Sequence, residues 1–298
     1  MSKMGQKTLN VDLYEVGHTG TLTPAEKQVS VPTLPANIYS IKQTMDGSLY
    51  FDPKEISFEK FIELPHMPTN NVLSDLEIFW KPETKEKYDK LGLLYKRGIL
   101  MHGKPGVGKS AAIYKVCQKF VEQGGIVVYN PAPAALYLMT KSVHKIEPER
   151  RILAVFEEVE YQMDDPTFLS LLDGELQLTN IAYLATTNYI DQIPERIKNR
   201  PSRFARVIEV GFPSLVDRNT YLTHVLGDKV DAKLLNEVAE LTDGFVLDQV
   251  KDVVVSHFVF DYTLEDSVNK IRDSWSEEEL VEDEEDEAED ESEERRWR

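Results

Sequence analysis

Between Arg97 and Phe212, short apolar runs alternate with stretches of helical period. The runs are RGILMHG, GIVVYN, RILAVFEE, IAYLATTN and ARVIEVGF. Most are apolar almost throughout rather than at every second position, the pattern of a strand buried on both faces. Between them, KSAAIYKVCQKFVEQ, the span from Pro133 to Lys145, and PTFLSLLDGELQ carry apolar residues at helical spacing. Gly124-Gly125 closes the first of these helices and Pro133 opens the second. Strand and helix in alternation predict a parallel sheet covered on both faces, an α/β fold.

The pattern changes on either side of this region. After Pro213 the period is helical only: LVDRNTYLTHVL, DAKLLNEVAELT, VLDQVKDVVVSHFV and TLEDSVNKIRDSW predict four helices. Upstream, DLEIFWKPETKEKYDKLGLL (75–94) mixes apolar and charged residues at helical spacing. Earlier still, VDLYEV, NIYSI and SLYFD are short alternating runs separated by turn dipeptides. They form either a small β-rich domain or an extension packed on the next one. The predicted division is a β-rich N-terminal region over 1–75, an α/β domain over 76–213, a helical domain over 214–275 and a tail over 276–298.

Charge sharpens the last boundary. Of 34 basic and 52 acidic residues, fourteen acids lie in 277–294 and three bases in the closing RRWR, so the rest of the chain carries only −7 of the −18. Such a tail repels itself and stays unfolded; it serves solubility, docks a basic partner or guards against nucleic acid. No run of 18 apolar residues predicts a membrane span, and the N-terminus lacks the apolar core of a secretory signal. The single cysteine, Cys117, cannot form an intrachain disulfide and suits a reducing interior. Together these predict a cytoplasmic protein without a membrane partner, and Cys117 itself reads as a small buried apolar residue.

Candidate chemistry begins at HGKPGVGKS, where Gly103, Gly108, Lys109 and Ser110 fit the spacing G-x-x-x-x-G-K-S between a buried strand and a helix. Glycines let the backbone curl with its amides inward, and the helix start adds partial positive charge. Gly103, Gly106, Gly108, Lys109, Ser110 and Ala111 are therefore the candidate nucleotide-binding residues. Lys109 reaches the β- and γ-phosphates and Ser110 ligates Mg2+. A nucleoside triphosphate is the predicted ligand, although kinases, GTPases, helicases and motor ATPases share this loop.

Ligands of a parallel sheet gather beyond the carboxyl ends of its strands. There RILAVFEE ends in Glu157 and Glu158. Glu157 would hold the magnesium shell and Glu158 would polarise the attacking water. Glu160 and Asp164 read as solvated loop acids. IAYLATTN ends in three polar residues, Thr186, Thr187 and Asn188. If its strand lies beside the phosphate-loop strand, Asn188 can bond the γ-phosphate or its water.

In this order and spacing, the residues from about Leu73 to Trp275 resemble the AAA family of ATPases. KYDKLGLLYKRGILMHGKPGVGKS is similar to the family's first helix, strand and Walker A loop, and ILAVFEE to Walker B. LLDG followed by IAYLATTN resembles the segment through sensor 1, NRPSRF the R-P-G-R-F box, and DGFVLDQVKDVV the family's helical lid. LLDG and TTN resemble in particular the branch that includes mitochondrial Bcs1. The resemblance implies that Asn188 is sensor 1. It also implies that Arg200 and Arg203 are arginine fingers reaching the ATP of an adjacent subunit, in a homo-oligomeric ring that is usually a hexamer. The implied function is an ATP-hydrolysing motor that remodels or translocates a macromolecule, protein foremost, with ATP and Mg2+ as cofactors. Two other readings remain: a nucleotide-switched assembly protein with slow hydrolysis, and a nucleic-acid motor or loader, for which the acidic body offers no basic stripe.

Several positions depart from the family pattern. Walker B reads Glu-Glu where the family has Asp-Glu, and Glu157 is one methylene longer than aspartate. Ser202 replaces the glycine of the arginine box. Leu247, Asp248 and Gln249 supply no arginine from the lid. The aromatic central-pore loop of the family would fall near Tyr137, Leu138 and Met139, with His144 behind, residues that equally suit an amphipathic helix.

Overall fold

The computed structural model describes residues 11–16, 22–26, 31–54, 62–198, 203–227 and 230–274. The chain divides into two units, residues 1–34 and 35–298. In the first, β1 (Val11–Val16) pairs antiparallel with β2 (Leu22–Glu26), with a register shift between Val11 and Leu13.

The second unit holds a seven-stranded sheet. Its strands are β3 (Ile38–Gln43), β4 (Leu49–Pro53), β5 (Lys96–His102), β6 (Ile126–Tyr129), β7 (Ile152–Phe156), β8 (Ile181–Thr187) and β9 (Arg206–Glu209). They lie in the order β4-β3-β6-β7-β8-β5-β9, parallel except for β4. Every residue of β6, β7 and β8 is buried, as their continuous apolar runs require.

The sheet also takes in NIYSI and SLYFD, so the boundary expected at residue 75 does not separate the first strands from the α/β domain. Tyr39 pairs with Val128 on one side of β3 and with Pro53 on the other. Burial in β3 runs along the strand, with Ile38 and Tyr39 buried and Lys42 and Gln43 exposed, and only the pairing with β6 ties this hairpin to the main sheet. The helix expected over 75–94 is also two helices, α1 (Thr69–Phe79) and α2 (Pro82–Lys90). Pro82 opens α2, where its missing N–H costs nothing, and cannot continue α1.

The remaining helices of the α/β region are α3 (Lys109–Glu122), α4 (Pro133–Ile146), α5 (Pro166–Asp173) and the short α6 (Glu195–Lys198). Val72, Leu76 and Phe79 of α1, and Ile113, Val116 and Cys117 of α3, pack on the sheet face presented by Ile99, Met101, Val127, Leu153 and Leu184. Cys117 has no exposure, and burial pushes its thiol pKa up, so it is core as expected. Neighbouring strand residues point to the opposite face, where Phe156 meets Phe168 of α5 edge-on at 5.0 Å.

The helical part comprises α7 (Leu215–Leu226), α8 (Ala232–Leu241), α9 (Leu247–Phe258) and α10 at 264–274. Leu222, Val238, Phe245, Val250, Val253 and Val268 form its own apolar core. Ser214 and Asp217 close a capping box on α7. Arg218, buried, donates to the carbonyls of Pro213 and Ala239 and to Asp243 at 2.8 Å, tying α7 to the end of α8.

One glycine in β5 governs how the chain returns to the sheet. A Cβ on Gly98 would lie 1.9 Å from the carbonyl oxygen of Arg203 and 3.2 Å from the Cα of Phe204. Both neighbours are backbone, so nothing flexible can yield. Gly98→Ala is expected to lower stability by about 1–3 kcal/mol, as overpacking does. Urea denaturation reads this directly; an unchanged midpoint would show that residues 203–204 are free to move away.

Candidate functional site

A cleft of about 650 Å³ opens at the carboxyl ends of β5, β7 and β8. Its floor is the loop joining β5 to α3. Gly106 and Gly108 hold φ of 77° and 101°, values at which an L side chain is strained. Gly108 ends the loop as the N-cap of α3, placing Lys109, Ser110 and Ala111 in the first helical turn. Gly106, Gly108, Lys109, Ser110 and Ala111 all line the cleft, and Gly103 starts the loop. The six sequence-predicted residues therefore lie together on one loop-to-helix turn, a geometry that suits an anion.

Lys109 is buried. Its Nζ donates to the carbonyl oxygens of Gly103 (2.5 Å) and Lys104 (2.8 Å). Burial pulls its pKa down to about 8, against the fields of Glu160, Glu157 and Glu158, which raise it. The ammonium therefore predominates at pH 7. Phosphate binding favours the cation, so above about pH 8 binding must first return a proton to Lys109. Apparent nucleotide affinity is expected to fall as pH rises beyond 8, approaching tenfold per pH unit. Calorimetry in buffers of different ionisation enthalpy measures the proton uptake; none at pH 9 would refute the assignment.

β7 delivers the acids. The Glu157 amide donates to Asn130 Oδ1 at 2.8 Å, and its Oε2 accepts from the Tyr129 hydroxyl. Glu157 Oε1 is buried without a protein partner among the described residues. Glu158 follows with a φ of 52°, an unusual conformation for a non-glycine residue, and lines the cleft, exposed. Glu160 departs from expectation. A 3-10 turn, Val159–Gln162, folds it inward, so both its carboxylate oxygens are buried and without partners among the described residues. Among the three glutamates it has the largest influence on Lys109. Asp164 is exposed, as a loop acid should be. The oxygen donors present, the Ser110 hydroxyl and the orphaned Glu157 Oε1, suit a hard cation such as Mg2+.

β8 does lie beside β5. Met101 pairs with Thr186 and His102 with Thr187, so Asn188 emerges next to the phosphate loop. Thr186 and Asn188 line the cleft, whereas Thr187 is fully buried and accepts the Tyr189 amide at 3.0 Å. The apolar wall was not foreseen: Ile62, Leu64 and Met67 precede α1, and Tyr221 and Leu247 come from the helical part. They form a slot suited to a flat, partly apolar base. No local pattern marks residues that meet the site only after the chain folds.

No protein-family model matches the chain. Among curated proteins it is 29% identical over 198 residues to the proteasome-activating nucleotidase of Saccharolobus solfataricus, covering 57% of this chain and 49% of that protein. The Aeropyrum pernix proteasome-activating nucleotidase is 30% identical over 193 residues, covering 56% of this chain and 46% of the relative. The cell division cycle protein 48 homolog of Archaeoglobus fulgidus is 29% identical over 192 residues, 54% of this chain and 25% of that protein. The chain thus spans about half the length of the nucleotidases it matches. The loop, acids and polar strand end converge in one cleft, and these relatives are what the chain is similar to.

The chain resembles AAA ATPases.

Other AAA positions fall elsewhere. Arg200 lies outside the described residues. Arg203 is 5% exposed and grips Asp173 through two bonds, Nε to Oδ1 and Nη2 to Oδ2, each 2.5 Å. Its Nη1 is buried without a partner among the described residues. The Arg203 backbone crosses β5 at Gly98, near the amino end of the strand, while the phosphate loop follows the carboxyl end. Five strand residues separate them by about 16 Å. Arg206 is half-exposed and joins Asp75, which Arg97 holds at 2.8 Å.

The helical part sits on the phosphate loop. The Leu247 amide donates to the Gly106 carbonyl at 3.1 Å, and Gln249 accepts from the Val246 amide at 2.8 Å to cap α9. The expectation of no arginine at 247–249 leaves Lys251, one turn further on, as a cation lining the cleft. Tyr137, Leu138 and Met139 lie within continuous helix α4 rather than in a loop. Leu136, Thr140 and Val143 face the core, Leu138 is exposed, and His144 is bonded to the Arg150 carbonyl. No helix among the described residues is long and apolar enough to cross a membrane.

Proposed function

We propose that this chain is one subunit of an ATP-hydrolysing ring, hexameric as the family resemblance implies, that remodels or translocates a macromolecule, protein foremost. The observation that carries this reading is the placement of Arg203, about 16 Å of strand away from its own phosphate loop. Arg203 at that end of the sheet serves no site in its own subunit. In a closed ring it meets the cleft of a neighbour, so a complete site needs two copies.

Within one cleft, the loop amides and Lys109 cradle the β- and γ-phosphates, and Asn188 orients the attacking water. Glu158 accepts a proton from that water at its carboxylate. Ser110 and Glu157 would hold Mg2+, which when bound neutralises charge on the phosphate oxygens. Arg200, with Arg203 as second candidate, stabilises the charge that develops on the neighbour's γ-phosphoryl group. The apolar slot of Ile62, Leu64, Met67 and Tyr221 takes the base.

One observation favours the slower variant of this reading, a nucleotide-switched assembly. Only residues 130–132 connect β6 to α4, too few to project a threading loop. Turnover near zero with every partner present would select that variant. The ring itself is tested by sedimentation and turnover across protein concentration. ATP is expected to drive association, and turnover per subunit is expected to rise as rings form. A monomer in saturating ATP with concentration-independent turnover would overturn the proposal. The Glu158→Gln form, which binds ATP and hydrolyses it slowly, is the trap for identifying clients.

A further inference from the structure

Glutamate at position 157 poses a geometric problem. Compared with the aspartate of related sites, it carries one more methylene and one more rotatable bond toward the cation. The structure contains an anchor that removes this freedom. Tyr129, the last residue of β6 and only 4% exposed, donates its hydroxyl proton to Glu157 Oε2. A carboxylate can only accept, and Tyr129 has one proton to give. The Tyr114 hydroxyl, 3.0 Å away, therefore donates to the Tyr129 oxygen.

The Tyr129 ring is itself fixed. It stacks on Tyr114 with centroids 5.6 Å apart and planes 4° from parallel. The Lys54 ammonium sits 3.8 Å from its centroid, and a cation over the ring strengthens the hydroxyl as a donor. Asn130, held at a φ of 43°, fixes the Glu157 backbone through its amide. Of the side chain's acceptors, only Oε1 is left buried and without a protein partner among the described residues.

We propose that Tyr129 is the positioning residue for magnesium: by holding Oε2 of Glu157 it leaves Oε1 as the single oxygen offered to the cation. The inference rests on Glu157 being a magnesium ligand. It makes Lys54, Tyr114, Tyr129 and Glu157 one unit, and it explains how this chain keeps glutamate where its relatives' pattern has aspartate. Supporting groups behind a metal ligand typically change metal affinity by about 10–100-fold when removed.

The test titrates magnesium chloride into the full chain with saturating ATP, reading half-saturation from turnover and from Mn2+ displacement by electron paramagnetic resonance. Metal-free nucleotide affinity is measured in parallel with EDTA present. Tyr129→Phe keeps the ring and its stacking. It is expected to raise magnesium half-saturation about 10–100-fold and to leave metal-free affinity unchanged. In a Glu157→Asp background the same change is expected to cost little, because the shorter side chain needs no anchor. Equal losses in both backgrounds, or no shift with Tyr129→Phe, would overturn the proposal. Glu157→Gln separates the two levels. If it leaves half-saturation unchanged, Glu157 is not a ligand and the whole reading fails; if it raises half-saturation while Tyr129→Phe does not, only the role of Tyr129 fails.

Discussion

Arg200→Ala is expected to lower ATP turnover about 10³-fold while nucleotide affinity stays near its original value, the signature of an arginine finger. The reason is spatial. The candidate nucleotide-binding residues lie at the carboxyl ends of β5, β7 and β8, whereas the box containing Arg200 continues into Arg203, which lies beside Gly98 at the opposite end of β5. An arginine acting within its own subunit would be lost from the same site as Lys109. An arginine acting between subunits is lost from a different one. Mixing Arg200→Ala with Lys109→Ala subunits decides between these. Each variant alone hydrolyses at a small fraction of the original rate, yet an interface joining an intact Arg200 from the Lys109→Ala subunit to an intact cleft on the Arg200→Ala subunit is complete. Recovery of turnover on mixing is the expected result, rising with the fraction of such interfaces. Sedimentation must show mixed assemblies, and no recovery within them would exclude action in trans.

Much of this arrangement was legible in the sequence because it depends on local pattern. The five apolar runs became five parallel strands; β6, β7 and β8 are buried on both faces and have no polar side to alternate, whereas β9 lies at the sheet edge with alternating exposure. The G-x-x-x-x-G-K-S spacing became a single turn because the glycines and the helix start are adjacent in the chain. Asn188 needed one further condition, that β8 lie beside β5, and the pairing of His102 with Thr187 meets it.

What was not legible depends on partners distant in sequence. Glu160 looked like a solvated acid because nothing local shows that the turn after β7 folds inward. Tyr129 and Glu157 are 28 residues apart, and each alone reads as an ordinary strand end. Nothing local in Ile38–Gln43 separates it from a strand of an independent domain, and only its pairing with β6 assigns it to the main sheet. Met67 enters the site because a Cβ on Gly108 would lie 2.3 Å from its Cε, an approach that glycine permits and no periodicity records.

Arg203 differs from Arg200 in what its loss should break. Removing one member of a buried ion pair typically costs about 3–5 kcal/mol, because the other charge is left without compensation. Arg203 is 5% exposed and the Asp173 side chain 22%, so Arg203→Ala is expected to lower folding stability by about that amount, shifting the urea midpoint where Arg200→Ala does not. Lys96 sits in the same cluster: burial lowers its pKa to about 8, Asp173 raises it and Arg203 lowers it. Lys96 therefore recovers part of the loss by turning more fully to Asp173, which places the cost toward the lower end of the range. Changing both residues, as Arg203→Met with Asp173→Leu, removes the unpaired charge and is expected to restore most of the stability. That double variant then separates the two roles open to Arg203. If its turnover is close to that of the unaltered chain, Arg203 serves to hold the box against α5 and Arg200 alone reaches the neighbouring ATP. If turnover stays depressed in a stable protein, and mixing with Lys109→Ala subunits restores it, Arg203 must leave Asp173 to act on the neighbour. In that case its own ion pair opposes the closing of each interface.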